Sequence, residues 1–280
     1  MIARCVGALA LALASVPTAA ASALDLEGPF TQGGLIVGRA EPGARVKLDG
    51  REVRVATDGR FLIGFGRDHG PRASLTVTAP DGRATRHALA IVKRRYDLQR
   101  IEGLAPKLVT PDPETLRRIE NDRALIRAAR AIELPELLLG PRFAWPATGP
   151  ISGVFGSQRI LNGEPRSPHL GLDIAAPEGT PVRAAADGRV ALAHDDMVLT
   201  GKTLLLDHGH GLTTSYIHLS EILVRAGSHV AQGALIARVG KTGRTTAAHL
   251  HWGVHLFDVA LDPALLVSGS PEATRTETRN

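Results

Sequence analysis

The chain has 280 residues, of which 44% are hydrophobic and 22% charged, as in a globular protein of about two domains. Cys5 is its one cysteine, which excludes disulfide staples and leaves His, Asp and Glu as the residue types for a metal site. The formal net charge of +5 is modest, aromatic residues are scarce and no basic recognition motif is evident, so no nucleic acid is expected as a partner.

The first 23 residues have the pattern of a secretory signal peptide. One charge, Arg4, precedes an apolar run from Cys5 to Ala14, and small residues follow up to Ala23. We expect cleavage near Ala23, which would also remove the cysteine and lower the formal net charge to +4. No later stretch is long and apolar enough to span a bilayer. The sequence therefore predicts an exported protein of the periplasm or cell envelope, or of the extracellular space.

Residues 24 to 93 predict a small β-sandwich. Short β-prone runs such as LIVG, FLIGF and SLTVTA alternate with turn pairs, namely Pro42-Gly43, Asp49-Gly50, Asp58-Gly59 and Asp81-Gly82. Many short strands at this spacing are typical of an antiparallel sandwich. The segment resembles bacterial immunoglobulin-like modules, and no motif of a functional site stands out in it.

Residues 94 to 144 predict a connector with a helix near residues 113 to 133. Asp112 suits the N-cap and Pro113 the first helical position. An apolar stripe follows at helical spacing, made of Leu116, Ile119, Ile126, Ala129 and Ile132. Two interpretations stay open: the helix is a plain spacer, or the stripe docks against one of the two domains and fixes their orientation.

A second β-rich region runs from residue 145 to 266 and ends near the segment HLHWGVHL. In a strand, side chains alternate between faces, so His249, His251 and His255 lie on one side. The other side carries apolar residues, namely Leu250, Trp252, Val254 and Leu256. One face therefore has the character of a core and the other that of a site. Residues 267 to 280 are small and polar, and we expect them to be disordered.

Two segments upstream add further metal-binding side chains. The segment SPHLGLDIAAPEG holds His169 and Asp173 four residues apart, among prolines and glycines that favour loop and strand over helix. The segment DHGHGLTTSYIHLS ends in a predicted strand that carries His218. A catalytic zinc has three protein ligands and keeps one position open for water. These segments together offer enough His and Asp for such a site, with histidines left over for acid–base chemistry.

The order HLGLD, SYIHL and HLH resembles the lysostaphin-type (LytM-like) zinc metallopeptidases, which cut the peptides of peptidoglycan. The similarity extends over roughly residues 146 to 266 and includes PATGPISGVFG, APEGTPVRAAADGRV and VGKTG. It implies a mainly β protein with an antiparallel β-sheet catalytic domain and zinc as cofactor. It further implies that His169, Asp173 and His251 bind the metal and that His218 and His249 are catalytic. Which of the two activates the water and which stabilises the oxyanion stays open.

Several other side chains in this region are candidates for a functional or a structural role. His255 shares the face of His251 but lies about 13 Å farther along an extended strand, so we predict a bystander. His208 and His210 lie in a Gly-bounded turn and are expected to be structural, with Asp207 as a candidate to orient a histidine. The run GKT at residues 240–242 resembles the end of a phosphate-binding loop, but position 235, where that motif needs glycine, is leucine, which predicts a turn.

The loop GSQRILNGEPRSP precedes the first metal-binding candidate and carries Arg159, Asn162 and Arg166. A guanidinium has a planar fork that pairs with a carboxylate through two hydrogen bonds. One interpretation is that one of these arginines pairs with a substrate carboxylate. The other is that the segment is a solvated charged loop.

These features predict an exported zinc metalloendopeptidase, expected to be a monomer, that hydrolyses peptide bonds in peptidoglycan cross-links or stem peptides. Some relatives lose the site residues and act as activators, so the alternative is a non-catalytic regulator that activates another cell-wall hydrolase. The complete residue set weighs against that alternative. A second alternative keeps the metallopeptidase but moves its substrate to a protein or a glycine-rich peptide.

Overall fold

A computed structural model of the chain describes residues 24–102, 111–132, 134–140 and 142–271. The predicted signal peptide and residues 272–280 of the predicted disordered tail lie outside the described residues. Antiparallel β-strands dominate the described part of the chain, which confirms the predicted fold class. In that part, no helix has the length and apolar character needed to cross a membrane.

The N-terminal module, residues 24–92, consists of two antiparallel sheets. Its strands are β1 (Asp25–Glu27), β2 (Leu35–Arg39), β3 (Arg45–Leu48), β4 (Arg51–Val53), β5 (Arg60–Gly64), β6 (Arg72–Thr78) and β7 (Ala84–Ala90). One sheet has the order β1-β2-β5 and the other the order β4-β3-β6-β7. They enclose a core that includes Ile36, Val46, Phe61, Ile63, Phe65 and Leu75. The immunoglobulin-like resemblance of this module stays a prediction.

The connector contains strand β8 (Leu98–Ile101) and helix α1 (Pro113–Ala131). The helix begins as the sequence predicts. The Asp112 carboxylate accepts a hydrogen bond from the main-chain N–H of Thr115 at 2.9 Å, and Pro113 occupies the first turn, where no intrahelical N–H donor is needed. The predicted end near residue 133 falls at a residue outside the described part, and the helix as described ends at Ala131.

The buried side of α1 differs in part from the predicted apolar stripe. Ile119 and Ala129 are buried, but Leu116 and Ile132 are 50% and 57% exposed, so only part of the stripe packs against the rest of the protein. The helix is thus rotated relative to the predicted stripe, and a polar residue also faces inward. The Asp122 carboxylate accepts a hydrogen bond from the main-chain N–H of Val198 at 2.8 Å. The helix therefore docks on the sheet through a mixed polar and apolar face.

The C-terminal domain is built on one large sheet. Its strands are β9 (Ile151–Gly153), β10 (Gln158–Leu161), β11 (Glu164–Pro165), β12 (Leu172–Ala175), β13 (Pro181–Arg183), β14 (Gly188–Met197), β15 (Gly201–Asp207), β16 (Leu212–Ile222), β17 (His229–Val230), β18 (Leu235–Val239), β19 (His249–Leu256) and β20 (Val259–Leu261). The large sheet runs β17-β14-β15-β16-β19-β12-β9, with β18 paired to β13 and β16 and β20 paired to β19. Strands β10 and β11 form a separate small sheet with β8. A short 3-10 turn, Pro263–Leu265, follows β20. The predicted alternation along β19 is confirmed, because Leu250, Trp252 and Val254 are fully buried in the core.

The N-terminal module and the connector pack against this domain. Strand β8 pairs in parallel with β10, the strand that precedes the first predicted metal ligand. The Arg94 guanidinium contacts the buried Asp262 carboxylate at 2.7 Å, and Arg67 donates a hydrogen bond to the main-chain oxygen of Gly156 at 2.7 Å. The Tyr96 ring lies against both guanidinium groups, 4.6 Å from that of Arg67 and 5.4 Å from that of Arg94. The connector therefore borders the segment that positions the site.

Candidate metal and catalytic centre

Two neighbouring strands and the loop before them bring three predicted metal-binding residues together. In the antiparallel pair β12–β19, Asp173 lies directly opposite His251. His169 precedes β12, and main-chain hydrogen bonds of 2.7 and 2.9 Å tie it to the turn at Gly156 and Ser157. One ligand atom from each of His169, Asp173 and His251 lies within 4.8 Å of the others. Residues far apart in sequence thus form one cluster.

The donor atoms in this cluster fit a zinc ion. Asp173 Oδ1 lies 2.7 Å from His251 Nδ1 and 3.0 Å from His169 Nε2, and the two imidazole nitrogens are 2.9 Å apart. A tetrahedral zinc holds its nitrogen and oxygen ligands roughly 3.3 Å from one another, so small outward shifts would accommodate it. His169 Nδ1 lies 3.0 Å from the main-chain oxygen of Val154, which fixes its proton there and leaves Nε2 as a lone-pair donor.

The electrostatics of the cluster also suit a cation. Burial alone raises the pKa of Asp173, but the adjacent His169 and His251 rings outweigh burial and hold that pKa well below its usual value. Burial lowers the pKa of His251, and the hydrogen bond to Asp173 opposes that shift only in part. At neutral pH the pair is therefore a carboxylate beside a neutral imidazole, the protonation states that metal binding requires.

The glycine of the HLGLD motif is required by close packing. A Cβ placed on Gly171 would lie 2.5 Å from His251 Nε2 and 2.8 Å from the main-chain oxygen of Trp252. Gly153 on β9 is similar, because a Cβ there would collide with the Asp173 carboxylate. The backbone thus approaches two of the three ligands directly, and side chains at these positions would displace them.

His218 lies at the point where β16 departs from regular pairing. Its neighbour Ile217 still pairs with His251, but His218 has a φ of 63°, in the left-handed region that histidine seldom occupies. Its Nδ1 lies 2.8 Å from the main-chain oxygen of Thr242, which fixes the proton on Nδ1. The ring centre is 4.8 Å from that of His249 and 6.4 Å from that of His251. His218 thus combines an unusual backbone conformation with a ring that is held beside the cluster.

His249 is held by the same loop, from the other side. Its Nδ1 lies 3.0 Å from the main-chain oxygen of Ala247 and 3.1 Å from the Thr245 hydroxyl oxygen. Its Nε2 lies 3.7 Å from Asp173 Oδ1. Like His218, His249 thus engages Nδ1 with a main-chain acceptor, which leaves Nε2 as the nitrogen that can exchange a proton.

Burial lowers the pKa of the His218 imidazole to about 4, and the neighbouring histidines add to the shift. The hydrogen bond to Thr242 opposes it. His218 is therefore neutral at pH 7 and can accept a proton.

Comparison with known proteins agrees with this geometry. The profile of peptidase family M23 matches residues 167–263. A crystal structure from Pseudomonas aeruginosa, described as a peptidase M23, is 31% identical and superposes with a TM-score of 0.65 over 84% of this chain and 94% of that one. The chain belongs to peptidase family M23. The predicted resemblance to LytM-type metallopeptidases is thereby confirmed.

Curated relatives of this M23 protein are larger proteins. The cell division protein DipM of Caulobacter vibrioides is 33% identical over 158 residues, 56% of this chain and 24% of the relative. The DD-carboxypeptidase/endopeptidase Mpg of Neisseria meningitidis is 37% identical over 109 residues, 39% of this chain and 25% of the relative. The peptidoglycan DD-endopeptidase ShyA of Vibrio cholerae is 42% identical over 86 residues, 31% of this chain and 20% of the relative. The matched part is therefore a quarter or less of each of these proteins.

Two histidines of the M23 domain lie in the β15–β16 turn, outside the cluster. His208 is fully buried, with Nδ1 2.6 Å from the main-chain oxygen of Asp187 and Nε2 2.8 Å from the Thr214 hydroxyl oxygen. His210 Nε2 lies 3.0 Å from the main-chain oxygen of Pro135 in the connector. These contacts agree with the expected structural role.

Two further candidates also lie apart from the cluster. His255 is buried, and burial together with the charge of Arg130 on α1 lowers its pKa well below the usual value. It is not part of the metal-binding group, as predicted from its distance along the strand. Asp207, the candidate to orient a histidine, accepts hydrogen bonds from the main-chain N–H groups of Leu134 and Gly209.

The structure adds residues that sequence reasoning missed. The acceptors for the ring protons of His169, His218 and His249 include main-chain oxygens, at Val154, Thr242 and Ala247. No side-chain motif encodes such a contact. The VGKTG turn was predicted only as a turn, and its position next to HLH in the chain is the one signal that pointed to a role beside the site.

Proposed function

We propose that this protein is an exported zinc endopeptidase that hydrolyses peptide bonds in peptidoglycan cross-links or stem peptides. The observation that carries the proposal is the convergence of His169, Asp173 and His251, with His218 and His249 beside them. Relatives named as peptidoglycan DD-endopeptidase and DD-carboxypeptidase/endopeptidase support this substrate class.

In this proposal His169, Asp173 and His251 hold the zinc. When bound, zinc polarises the scissile carbonyl and lowers the pKa of a coordinated water to about 7. The chain contributes a carboxylate and two neutral imidazoles, so the site keeps a net positive charge. Gly171 and Gly153 leave room for the ligands, and the Val154 oxygen keeps Nε2 of His169 free of a proton.

His218 and His249 move the protons of the reaction. Because Thr242 and Ala247 engage Nδ1–H of these rings, each ring presents Nε2 to the reacting atoms. A neutral Nε2 accepts the proton of the attacking water, and a protonated Nε2–H donates to the oxyanion that develops on the carbonyl. The two rings therefore supply one base and one donor.

Export is proposed from the predicted signal peptide, and it agrees with a peptidoglycan substrate, which lies outside the cytoplasmic membrane. The exported chain would carry the N-terminal module and connector with it, as the predicted boundaries at residues 24–93, 94–144 and 145–266 imply. We propose a location in the periplasm or cell envelope, and action as a monomer.

The test is hydrolysis of purified peptidoglycan by the full-length mature protein. We expect zinc-dependent release of fragments that stops with a chelator and returns with zinc. His251→Ala should lose both zinc and hydrolysis, whereas His218→Ala should keep zinc and lose hydrolysis by at least about 100-fold. His229→Ala, at an exposed histidine of the same domain, is the matched control and should behave as the wild type.

Two results would contradict the proposal. Zinc binding without hydrolysis of any peptidoglycan preparation would favour the regulator of another cell-wall hydrolase. Hydrolysis of proteins or glycine-rich peptides, with no release of stem-peptide fragments, would show that the substrate is not a peptidoglycan stem peptide. Mass spectrometry of the fragments identifies the cleaved bond in either case.

A further inference from the structure

The segment of residues 154–158 holds His169, one of the proposed metal ligands, through three hydrogen bonds. The Gly156 N–H donates to the main-chain oxygen of His169 at 2.7 Å, and the His169 N–H donates to that of Ser157 at 2.9 Å. The third bond involves the ring, because His169 Nδ1 lies 3.0 Å from the main-chain oxygen of Val154. The backbone position and the ring orientation of His169 therefore both depend on where this segment lies.

The N-terminal module and the connector contact that segment from outside the M23 domain. The Tyr96 ring of the connector lies directly against Gly156, where any Cβ would overlap the ring. Arg67 of the N-terminal module donates from Nε to the Gly156 oxygen at 2.7 Å, and its guanidinium lies 4.6 Å from the centre of the Tyr96 ring. The Gln158 N–H donates to the main-chain oxygen of Asp97 at 2.8 Å. The segment is thus held between His169 on one side and these residues on the other.

Phe155 packs the same segment into the joint between the two parts. Its side chain is 2% exposed, its ring centre lies 6.3 Å from that of Tyr96, and a Cβ on Gly33 would lie 3.1 Å from its ring. The Tyr96 hydroxyl is buried and has no hydrogen-bond partner in the described part of the chain. A buried hydroxyl without a partner costs free energy, so any stabilising effect of Tyr96 comes from its ring.

We propose that Tyr96 and Arg67 are positioning residues for the metal centre, which act on His169 through the 154–158 segment. This inference rests on the proposed zinc peptidase and gives the N-terminal module and the connector a part in metal binding. A ligand that is oriented before the ion arrives binds it more tightly, because binding then costs no ordering of that ligand. Loosening the segment should therefore weaken zinc binding without removing any ligand atom.

The experiment measures the zinc affinity of the folded full-length protein by competition with a chromogenic chelator. Tyr96→Ala removes the ring, and we expect the dissociation constant for zinc to rise about 10-fold, as for other changes behind a metal ligand. Tyr96→Phe restores the ring and should rescue the affinity. Arg67→Met removes the donor to the Gly156 oxygen and should raise the dissociation constant about threefold or more. It tests the same contact if Tyr96→Ala does not fold.

Hydrogen exchange of the metal-free proteins gives a second readout, which does not depend on the ion. The Gly156 and His169 amides should exchange about 10-fold faster in Tyr96→Ala than in the wild type, whereas those of β15 should not change. Ile63→Ala, in the core of the N-terminal module, is the control for lost stability and should alter neither these two amides nor the zinc affinity. Arg72→Met, at an exposed arginine of the module, is the control for Arg67→Met.

The outcomes separate this inference from the proposed peptidase. Unchanged exchange at Gly156 and His169 in Tyr96→Ala would overturn the inference. Faster exchange with unchanged zinc affinity, or an equal loss of affinity in Ile63→Ala, would make Tyr96 a structural residue only and would also overturn it. Hydrolysis of peptidoglycan by the wild type is measured separately. If the wild type hydrolyses nothing but Tyr96→Ala binds zinc less tightly, the peptidase is contradicted and the positioning role stands.

Discussion

The histidines near the site differ in what contacts their Nδ1 atoms. In His251 this atom lies 2.7 Å from Asp173 Oδ1, inside the proposed metal cluster, whereas in His218 it faces the main-chain oxygen of Thr242. In His208, which lies in the core, Nδ1 faces the main-chain oxygen of Asp187. The three histidines therefore differ in their immediate partners, and we propose a different role for each.

Gly171 gives a direct test of the metal-binding geometry. In Gly171→Ala, the added methyl group would meet His251 Nε2 at 2.5 Å, so the ring must turn away from Asp173. We expect zinc affinity to fall about 10-fold to 100-fold, as for other changes that disturb ligand orientation. Competition with a chromogenic chelator measures it. Gly70→Ala, where a Cβ meets no atom within 4 Å, is the control, and equal zinc affinity in both variants would refute this view of the site.

His208 predicts an acid sensitivity of the fold. Burial lowers its pKa to about 4, whereas an unfolded histidine titrates near about 6.5. Between these values the unfolded chain binds the extra proton, so stability falls as the pH falls and levels off below about 4. This group alone should remove about 2 kcal/mol of unfolding free energy between about pH 7 and pH 5.

Urea unfolding in the presence of a chelator, at both pH values, measures that loss. The wild type is compared with His208→Gln, which cannot titrate in this range. Other ionisable groups contribute equally to both proteins, so the difference in pH dependence isolates His208. An identical pH dependence in the two proteins would show that His208 already accepts a proton in the fold.

At the scale of elements, helix α1 predicts unequal effects for two similar substitutions. Ile119→Ala should cost about 2 to 4 kcal/mol, because it leaves a cavity where the helix meets the sheet. Leu116→Ala, at a half-exposed position one turn earlier, should cost less than about 1 kcal/mol. Urea unfolding of the full-length protein compares them. A loss at Leu116→Ala as large as that at Ile119→Ala would indicate that both residues are buried, as a fully docked stripe requires.

The start of α1 and the alternation of β19 could be predicted from the sequence, because each depends on neighbouring residues. Asp112 and Pro113 form a local cap, and side chains along a strand alternate wherever it lies. The rotation of α1 could not be predicted, because it involves a hydrogen bond from the distant β14–β15 turn to Asp122. The pairing of β8 with β10 was missed for the same reason.

At the scale of the whole molecule, the pair Arg94 and Asp262 joins the start of the connector to the M23 domain. Asp262 is almost completely buried, so removing its partner would leave a carboxylate unpaired away from water. We expect Arg94→Met to lower the unfolding free energy by about 2 kcal/mol. Calorimetric melting measures the loss, and limited proteolysis should show faster cleavage between residues 94 and 112.

Arg83→Met is the matched control for that prediction. The Arg83–Asp81 pair has the same kind of contact, at 2.6 Å, but both side chains are exposed to solvent. Water screens such a pair, so its loss should not change the melting temperature measurably. Equal effects of the two substitutions would indicate that Arg94 does not connect the two parts energetically.

The sequence predicts which residues form the site better than it predicts how their side chains are oriented. The five proposed site residues stand in recognisable motifs, so their proximity could be predicted from the resemblance. Their orientation could not, because it depends on main-chain oxygens such as Val154 O.

The loop between β18 and β19 contributes main-chain oxygens to both His218 and His249, from Thr242 and Ala247. A carbonyl oxygen of the backbone remains whatever side chain the residue carries. A side-chain change at Ala247 therefore keeps that acceptor, whereas the Thr242 hydroxyl also bonds the main chain at Lys202 and Leu219 and helps to hold the turn. Deleting or inserting one residue would shift the two acceptors at once. The positions of the protons on both rings therefore depend on the length of this loop.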